Sequence, residues 1–161
     1  MLAWPVTGAE TPGTYPSATI DGAATPRPFD AASNVRPLRP IRVLLAGREV
    51  RYLRAVAFLF ERRGFETSLS LRPASLFADA EEFQPEVVVL VEGGSFADAV
   101  GQAVALIARS ERLNVVLATS RSDAADSAQL RFVRKWASFA ELATVVEQAW
   151  LELPSPFSFR V

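Results

Sequence analysis

From residue 41 onward, short β-branched runs alternate with longer stretches of helical periodicity, and this alternation restricts the chain to few folds. The runs suited to strands are 41–46, 65–71, 86–91, 114–119 and 131–135. The third is apolar at nearly every position, as expected of a strand that is buried on both faces of a parallel sheet. The alternation is typical of βαβ units, so we predict five parallel strands.

Helical periodicity fills the remaining segments, which are 49–63, 73–83, 95–112, 123–130 and 138–153. In the first, Val50, Leu53, Ala57 and Phe60 recur at spacings of three and four, and Gly64 follows as a C-cap glycine would. Right-handed crossovers then give a doubly wound, three-layer α/β sandwich of the (βα)5 type, with strand order 2-1-3-4-5. Ligands of such folds bind beyond the carboxyl ends of the first and third strands.

Composition excludes much enzymology. The chain has no cysteine and no histidine, so it has no Ser-His-Asp or Cys-His catalysis and no zinc site built on those ligands. The chain has 17 basic and 18 acidic residues, so its formal net charge is -1, and no general attraction to nucleic acid or to anionic membranes is expected. We therefore predict a protein that is not an enzyme and that uses no cofactor and no metal.

The two ends of the chain differ in composition from the central segment. Prolines interleaved with small residues predict a flexible arm, in which Trp4, Tyr15 and Phe29 are the side chains able to dock. The N-terminus has no signal-peptide pattern, and no apolar stretch is long enough to span a membrane, so a cytoplasmic protein is expected. The predicted organisation is an arm (1–39), one domain (40–153) and a short tail (154–161).

Three segments carry a family likeness: Ile41-Arg-Val-Leu-Leu-Ala, Leu59-Phe-Glu-Arg-Arg-Gly-Phe-Glu and Pro85-Glu-Val-Val-Val-Leu. Together they resemble the receiver domain of two-component response regulators, over residues 40–152. The resemblance implies a CheY-like, flavodoxin-like fold. It also implies a bacterial signalling role that is exercised through partner proteins.

The resemblance also identifies where a phosphorylation pocket would lie. In that family two acidic residues after the first strand bind magnesium, an aspartate ending the third strand takes the phosphoryl group, and Thr or Ser and Lys end the fourth and fifth. Here the acidic pair falls on Gly47 and Arg48 and the acceptor on Val91, whereas Thr119 and Lys135 are retained. Magnesium needs oxygen ligands and Val91 has no nucleophile, so the resemblance implies a pseudo-receiver with a degenerate pocket.

Glu92 adjoins the acceptor position and leaves alternatives open. A bulge in the third strand would bring its carboxylate into the pocket with Glu49 as a second acid, although the strand period of two points Glu92 away from the side of Val91. Otherwise Arg48 would pair with Glu92 or Glu49 as a fixed charge arrangement, or point into solvent.

Gly93, Gly94 and Ser95 follow as a candidate anion-binding loop before the third helix, unless the two glycines only make the turn. A small anionic, nucleotide-like ligand in the cleft at the ends of strands one and three is therefore one functional alternative. Gly47, Thr119 and Lys135 would surround such a ligand.

The other alternative is a phosphorylation-independent adaptor or regulatory subunit with protein partners, and this is our leading prediction. Arg48, Arg51 and Arg54 recur every three residues on the first helix, as a partner-binding stripe or a solvated face. Phe132 and Trp136 lie in and after the fifth strand, where many receivers form homodimers through helix 4, strand 5 and helix 5. Nucleic acid is not expected as a partner, since no basic cluster is interleaved with exposed aromatic residues.

Overall fold

The computed structural model describes residues 39–121 and 123–153. Its strands are β1 (Arg42–Ala46), β2 (Glu66–Ser70), β3 (Val87–Val91), β4 (Asn114–Thr119) and β5 (Leu130–Arg134). Its helices are α1 (Val50–Arg62), α2 (Leu76–Phe83), α3 (Phe96–Arg109) and α4 (Phe139–Leu151). Among the described helices, none is long and apolar enough to cross a membrane. The tail and all but the last residue of the predicted arm lie outside the described residues.

The strands form one parallel sheet in the order β2-β1-β3-β4-β5, which confirms the predicted fold class and strand order. The central strand β3 is buried at all five positions, because both of its faces are covered by helices. The order of strands reverses between β1 and β3. Their carboxyl ends lie side by side, with Ala46 opposite Leu90.

Alternating side chains of the strands supply two apolar cores. On one face, α1 and α4 pack over a core that includes Leu45, Phe60 and Val146. On the other face, α2 and α3 pack over a core that includes Leu44 and Leu106. Both helix layers therefore hold the strand ends, and the loops that follow them, in fixed positions.

The predicted helix over 123–130 was wrong, because the described part of the connection between β4 and β5 is irregular until Leu130 begins β5. Asp126 accepts a hydrogen bond from the amide of Phe132 at 2.8 Å, and Gln129 donates to two backbone carbonyls that precede β4. Bonds of this kind offer the backbone an alternative to the helix. The predicted dimer surface consisted of the fourth predicted helix (123–130), the fifth strand and the fifth predicted helix, which is α4 in the structure. This surface therefore lacks its first element.

Candidate functional site

All the residues of the predicted pocket lie at one edge of the sheet, where the parallel strands end. This edge carries Gly47, Arg48, Val91, Glu92, Thr119 and Lys135. Neighbouring strands are in continuous register here, with Val91 opposite Ala118 and Thr119 opposite Arg134. The register of β3 continues to its last residue, so the bulge considered for Glu92 does not form.

The position at which the resemblance expects a phosphoryl acceptor, Val91, is part of the core. Val91 is 3% exposed, and a side chain at Gly47 would place its Cβ 3.1 Å from the Cβ of Val91. That approach leaves no room for a carboxylate at Gly47 without a shift of the backbone. Among the described residues, no three Asp or Glu side chains converge as a metal site. The ends of β1 and β3 therefore provide no carboxylate at Gly47 or Val91, the positions where the resemblance expects acids.

Thr119 is fully buried, and its hydroxyl donates to the Glu92 carboxylate at 2.5 Å. The same carboxylate oxygen accepts from the amide of Ser120 at 3.2 Å, and the Thr119 oxygen accepts from the amide of Arg121 at 3.1 Å. Glu92 thus turns toward the end of β4. Hydrogen bonds to an ionised group are the stronger kind, so this hydroxyl is committed within the protein.

Lys135 joins two loops at the same edge. Its ammonium donates to the backbone carbonyl of Glu92 at 2.9 Å and forms an ion pair with the Glu49 carboxylate at 2.5 Å. The two side chains are only 17% and 31% exposed, so solvent screens this pair less than it would a surface pair. A fixed charge arrangement was predicted from Arg48, but the structure forms it from Lys135.

Arg48 lies elsewhere. Its aliphatic stem runs over Gly93, where an added Cβ would meet the Arg48 Cγ and Cδ atoms at 3.5 Å. Within residues 39–121 and 123–153, no carboxylate lies within the 4.0 Å ion-pair distance of its guanidinium. Of the two alternatives for Arg48, the ion pair with Glu49 or Glu92 is absent from the described residues, whereas the exposure of Arg48 agrees with the solvent-facing alternative.

Two clefts open at this edge. The smaller, of about 350 Å³, is lined by Arg48, Glu49, Glu92, Gly93, Gly94, Ser120 and Lys135. The larger, of about 490 Å³, extends between α2 and α3, and its polar lining includes Arg48, Arg72, Ser70, Ser95, Asp98 and Gln102. The candidate anion loop Gly93-Gly94-Ser95 borders the larger cleft. Sequence reasoning missed Arg72, although its place directly beyond the end of β2 was a usable signal.

Trp136 lies in the turn after β5 and is 65% exposed. Its φ is 77°, a left-handed conformation that is unusual for a bulky residue. The ring makes an edge contact with Tyr52 at 5.2 Å between centroids, and the Lys135 ammonium lies 5.4 Å from its centroid. Phe132, the other aromatic interface candidate, is instead half-buried and packs on the ring of Phe96.

Helix α1 carries the basic stripe. Arg51 and Arg54 are exposed, and between them and the end of the helix lie two exposed apolar side chains, Phe58 (57%) and Leu59 (38%). The Arg62 guanidinium lies 5.8 Å from the centre of the Phe58 ring. The outer face of α1 is therefore both basic and apolar, a combination that the arginine pattern alone did not reveal.

Tyr52 of α1 contacts the Trp136 ring and is close enough to Glu49 to be influenced by its charge. Burial raises the pKa of its hydroxyl above the ordinary 10.0, and the negative charge of nearby Glu49 raises that pKa further. The Glu49 carboxylate therefore acts both on Lys135 and on the aromatic pair beside it.

No protein-family model and no curated protein matches this chain. Solved structures of receiver domains do share its fold. The N-terminal domain of a response regulator/sensory box/GGDEF protein from Carboxydothermus hydrogenoformans is 22% identical, with a TM-score of 0.57 over 68% of this chain and 94% of that one. A response regulator receiver domain protein from Bacillus halodurans is 15% identical, with a TM-score of 0.56 over 73% and 100%.

A third structure, of the response regulator TrrA from Thermotoga maritima in complex with Mg²⁺-BeF, is 17% identical, with a TM-score of 0.57 over 68% and 98%. At these identities the likeness shows the fold. The chain thus has the receiver-like α/β fold that its residues predict.

Proposed function

We propose that this chain is a pseudo-receiver that signals without phosphorylation, as an adaptor or regulatory subunit that binds protein partners. One observation carries the proposal: at the acceptor position a buried valine replaces the nucleophile, and the two retained pocket residues are bonded inside the protein. Val91 cannot accept a phosphoryl group. Thr119 and Lys135 are already occupied by Glu92 and Glu49.

The internal bonds also oppose any anion that would enter the old pocket. To bind it, Lys135 would have to leave the Glu49 carboxylate, and Thr119 would have to leave Glu92. The first exchange would leave the Glu49 carboxylate without its cation, and the second would leave Glu92 with only the Ser120 amide as donor, so both are costly. The pocket therefore supports one fixed arrangement of charges, and the proposed signalling activity resides on the surface.

The outer face of α1 is the surface that best fits a partner. Phe58 and Leu59 are exposed apolar side chains of this helix, and Trp136 adds an exposed ring from the turn after β5, where it contacts Tyr52 of the same helix. Exposed aromatic and arginine side chains are enriched at the centres of protein interfaces. Because the charged residues at this face are mainly arginines, we propose an acidic partner surface with apolar residues at its centre.

The absence of phosphorylation can be tested directly. Acetyl phosphate, or beryllofluoride with Mg²⁺, is expected to leave the intact mass and the NMR spectrum unchanged, while a phosphorylatable receiver treated in parallel responds. A stoichiometric adduct on this chain that disappears in Glu92→Gln would overturn the proposal, because it would show that Glu92 serves as the acceptor.

The partner surface is tested with the full chain as bait in extracts of its native host. Trp136→Ala and Arg51→Glu are expected to lose the specific partner, by about 30-fold in affinity if Trp136 is a hot spot worth about 2 kcal/mol. Val104→Ala is the matched control, since Val104 is 54% exposed but lies on α3. Light scattering of the purified chain separates a homodimer from a different partner. Retention of every partner by both variants would rule out this surface.

A second candidate function is that of a sensor for a small anionic, nucleotide-like ligand. The cleft of about 490 Å³ favours it, since it lies at the ends of β1 and β3 and small-molecule sites are about 300–1,000 Å³. A metabolite at a hundred times its dissociation constant would stabilise the fold by about 2.7 kcal/mol, which a thermal shift detects. A panel without any shift would count against this function.

A further inference from the structure

The larger cleft has an arginine on each of two loops. Arg48 follows β1 and Arg72 follows β2, and both line this cleft. Arg42, Arg109 and Arg131 each have a carboxylate within 4.0 Å, but Arg48 and Arg72 have none among the described residues. Guanidinium groups without partners in a concave site form a region of positive potential that favours an anion.

The amino end of α3 adds donors to the same cleft. Gly93, Gly94, Ser95 and Ala97 line it, and α3 is 14 residues long. The first amides of a helix have no partner within the helix, and the helix dipole is positive at this end. At Gly94 nothing lies within 4 Å of the position of a Cβ, so the backbone there is open to a ligand.

The acids that line the larger cleft are fewer than its arginines. Glu49 is paired with Lys135, and Glu92, which keeps its charge while it accepts from Thr119 and Ser120, lines the smaller cleft instead. The acidic side chain among the described residues that line the cleft is Asp98, against the two arginines. The lining of the larger cleft thus carries one excess positive charge.

Leu76 and Phe77, at the start of α2, supply an apolar wall on the far side of the cleft. We infer that this cleft binds a small phosphorylated molecule, with its phosphate between Arg48 and Arg72 and its organic part against Leu76 and Phe77. The inference deepens the second candidate function. It does not depend on the adaptor proposal, because it uses none of the exposed face of α1.

The test is an NMR titration of the full chain with inorganic phosphate and, separately, with AMP, at constant ionic strength. Saturable shifts are expected at the amides from Gly93 to Ala97, with AMP binding at least several-fold more tightly than phosphate. Equal affinities would overturn the assignment of an organic part, and the absence of saturable shifts would overturn the site.

Substitutions of charged residues test which side chains contribute to AMP binding. Arg48→Met and Arg72→Met are each expected to weaken AMP binding by about tenfold, the size expected of a charge-assisted hydrogen bond of about 1.4 kcal/mol. Asp98→Asn is expected to tighten it several-fold. Arg54→Met, which removes an exposed arginine of α1, is the matched control and should bind as the parent does.

Each variant's own spectrum shows whether it is folded, so loss of binding is separated from loss of structure. If Arg54→Met weakens binding as much as Arg48→Met does, the binding is general attraction to a basic surface and the site is refuted. If AMP fails to bind while Trp136→Ala still loses its protein partner, only the ligand site is wrong.

Discussion

The two halves of the strand-end edge use their polar groups in opposite ways. At β4 and β5, Thr119 and Lys135 are bonded to Glu92 and Glu49; we call these four residues the closed half. At the ends of β1, β2 and β3, Gly47 lies close to the buried Val91, and Arg48 and Arg72 line an open cleft; we call these four the open half.

The difference between the halves follows from the cost of a partly buried charge. Lys135 is 17% exposed and needs a negative partner. Gly47 and Arg48 provide none, and Glu49, one position further along, neutralises the lysine. Under the pseudo-receiver proposal, Glu49 takes the place of an acidic pair that the open half lacks, and the presence of Thr119 and Lys135 need not indicate a functional phosphorylation pocket.

Val91→Asp is expected to have the largest effect on stability, because it places a carboxyl group in the open half. At 3% exposure an unpaired carboxylate there is expected to lower the free energy of unfolding by about 3–5 kcal/mol. Mg²⁺ should restore little of this loss, since Gly47 and Arg48 provide no oxygen side chains. Urea denaturation with and without Mg²⁺ measures both effects. Val91→Thr, of similar shape and without a charge, is the control, and a stable, Mg²⁺-responsive Val91→Asp would show that the pocket survives.

Removing the cation of the closed half comes next in size. Lys135→Met leaves Glu49 and the Glu92 carbonyl without their donor, so we expect a loss of about 1–3 kcal/mol in chemical denaturation. Glu49→Gln retains an oxygen that accepts a hydrogen bond and should cost less. A double-mutant cycle isolates the pair itself. Additive effects of the two changes would mean that the ion pair contributes no coupling.

Variants of Trp136, which follows Lys135 of the closed half, test whether the backbone there is strained. A left-handed conformation costs a residue other than glycine about 1–2 kcal/mol, whereas an aromatic pair contributes about 0.5–1.5 kcal/mol. Trp136→Ala loses the contact with Tyr52 and keeps the strain, so it should be destabilised. Trp136→Gly loses the contact and also the strain, so it should be more stable than the alanine variant by about 1 kcal/mol. Equal stabilities in thermal or urea unfolding would show that the backbone there is not strained.

Periodicity was sufficient for all the elements but one, and the rule of right-handed crossovers then gave the strand order. The run Val87–Val91 identifies a central parallel strand, and the predicted bounds differ from the observed ones by only a few residues at the ends. The helix predicted over 123–130 failed because Asp126 and Gln129 bind backbone groups of neighbouring segments. Helical periodicity in a short segment does not reveal such competition.

The candidate site was predictable only in part. Parallel strands end at one edge, so counting from each strand end was enough to bring Val91, Thr119 and Lys135 together. The partner of Lys135 was not predictable, because it depends on how far side chains reach across loops. The sequence left Arg48 free to pair with Glu92 or Glu49 or to face solvent, and in the structure its stem lies over Gly93.

The smallest effect concerns Tyr52, which reports on the Glu49 charge shared with the closed half. A tyrosine whose pKa is raised by folding contributes stability that is present in full below its unfolded pKa of about 10, and that is lost as the pH rises through the higher folded pKa. Glu49→Gln removes the second cause of the shift and leaves burial, so the midpoint should move only part of the way back toward 10.0.

Tyrosinate absorbance during an alkaline titration measures this midpoint, and Tyr52→Phe isolates it from the signal of Tyr15. Lys135→Met should move the midpoint in the opposite direction from Glu49→Gln, because the Glu49 charge then acts on Tyr52 without a neighbouring cation. Shifts of the same sign in both variants would contradict the arrangement of the closed half, and the absence of any shift would mean that burial alone sets the pKa of Tyr52.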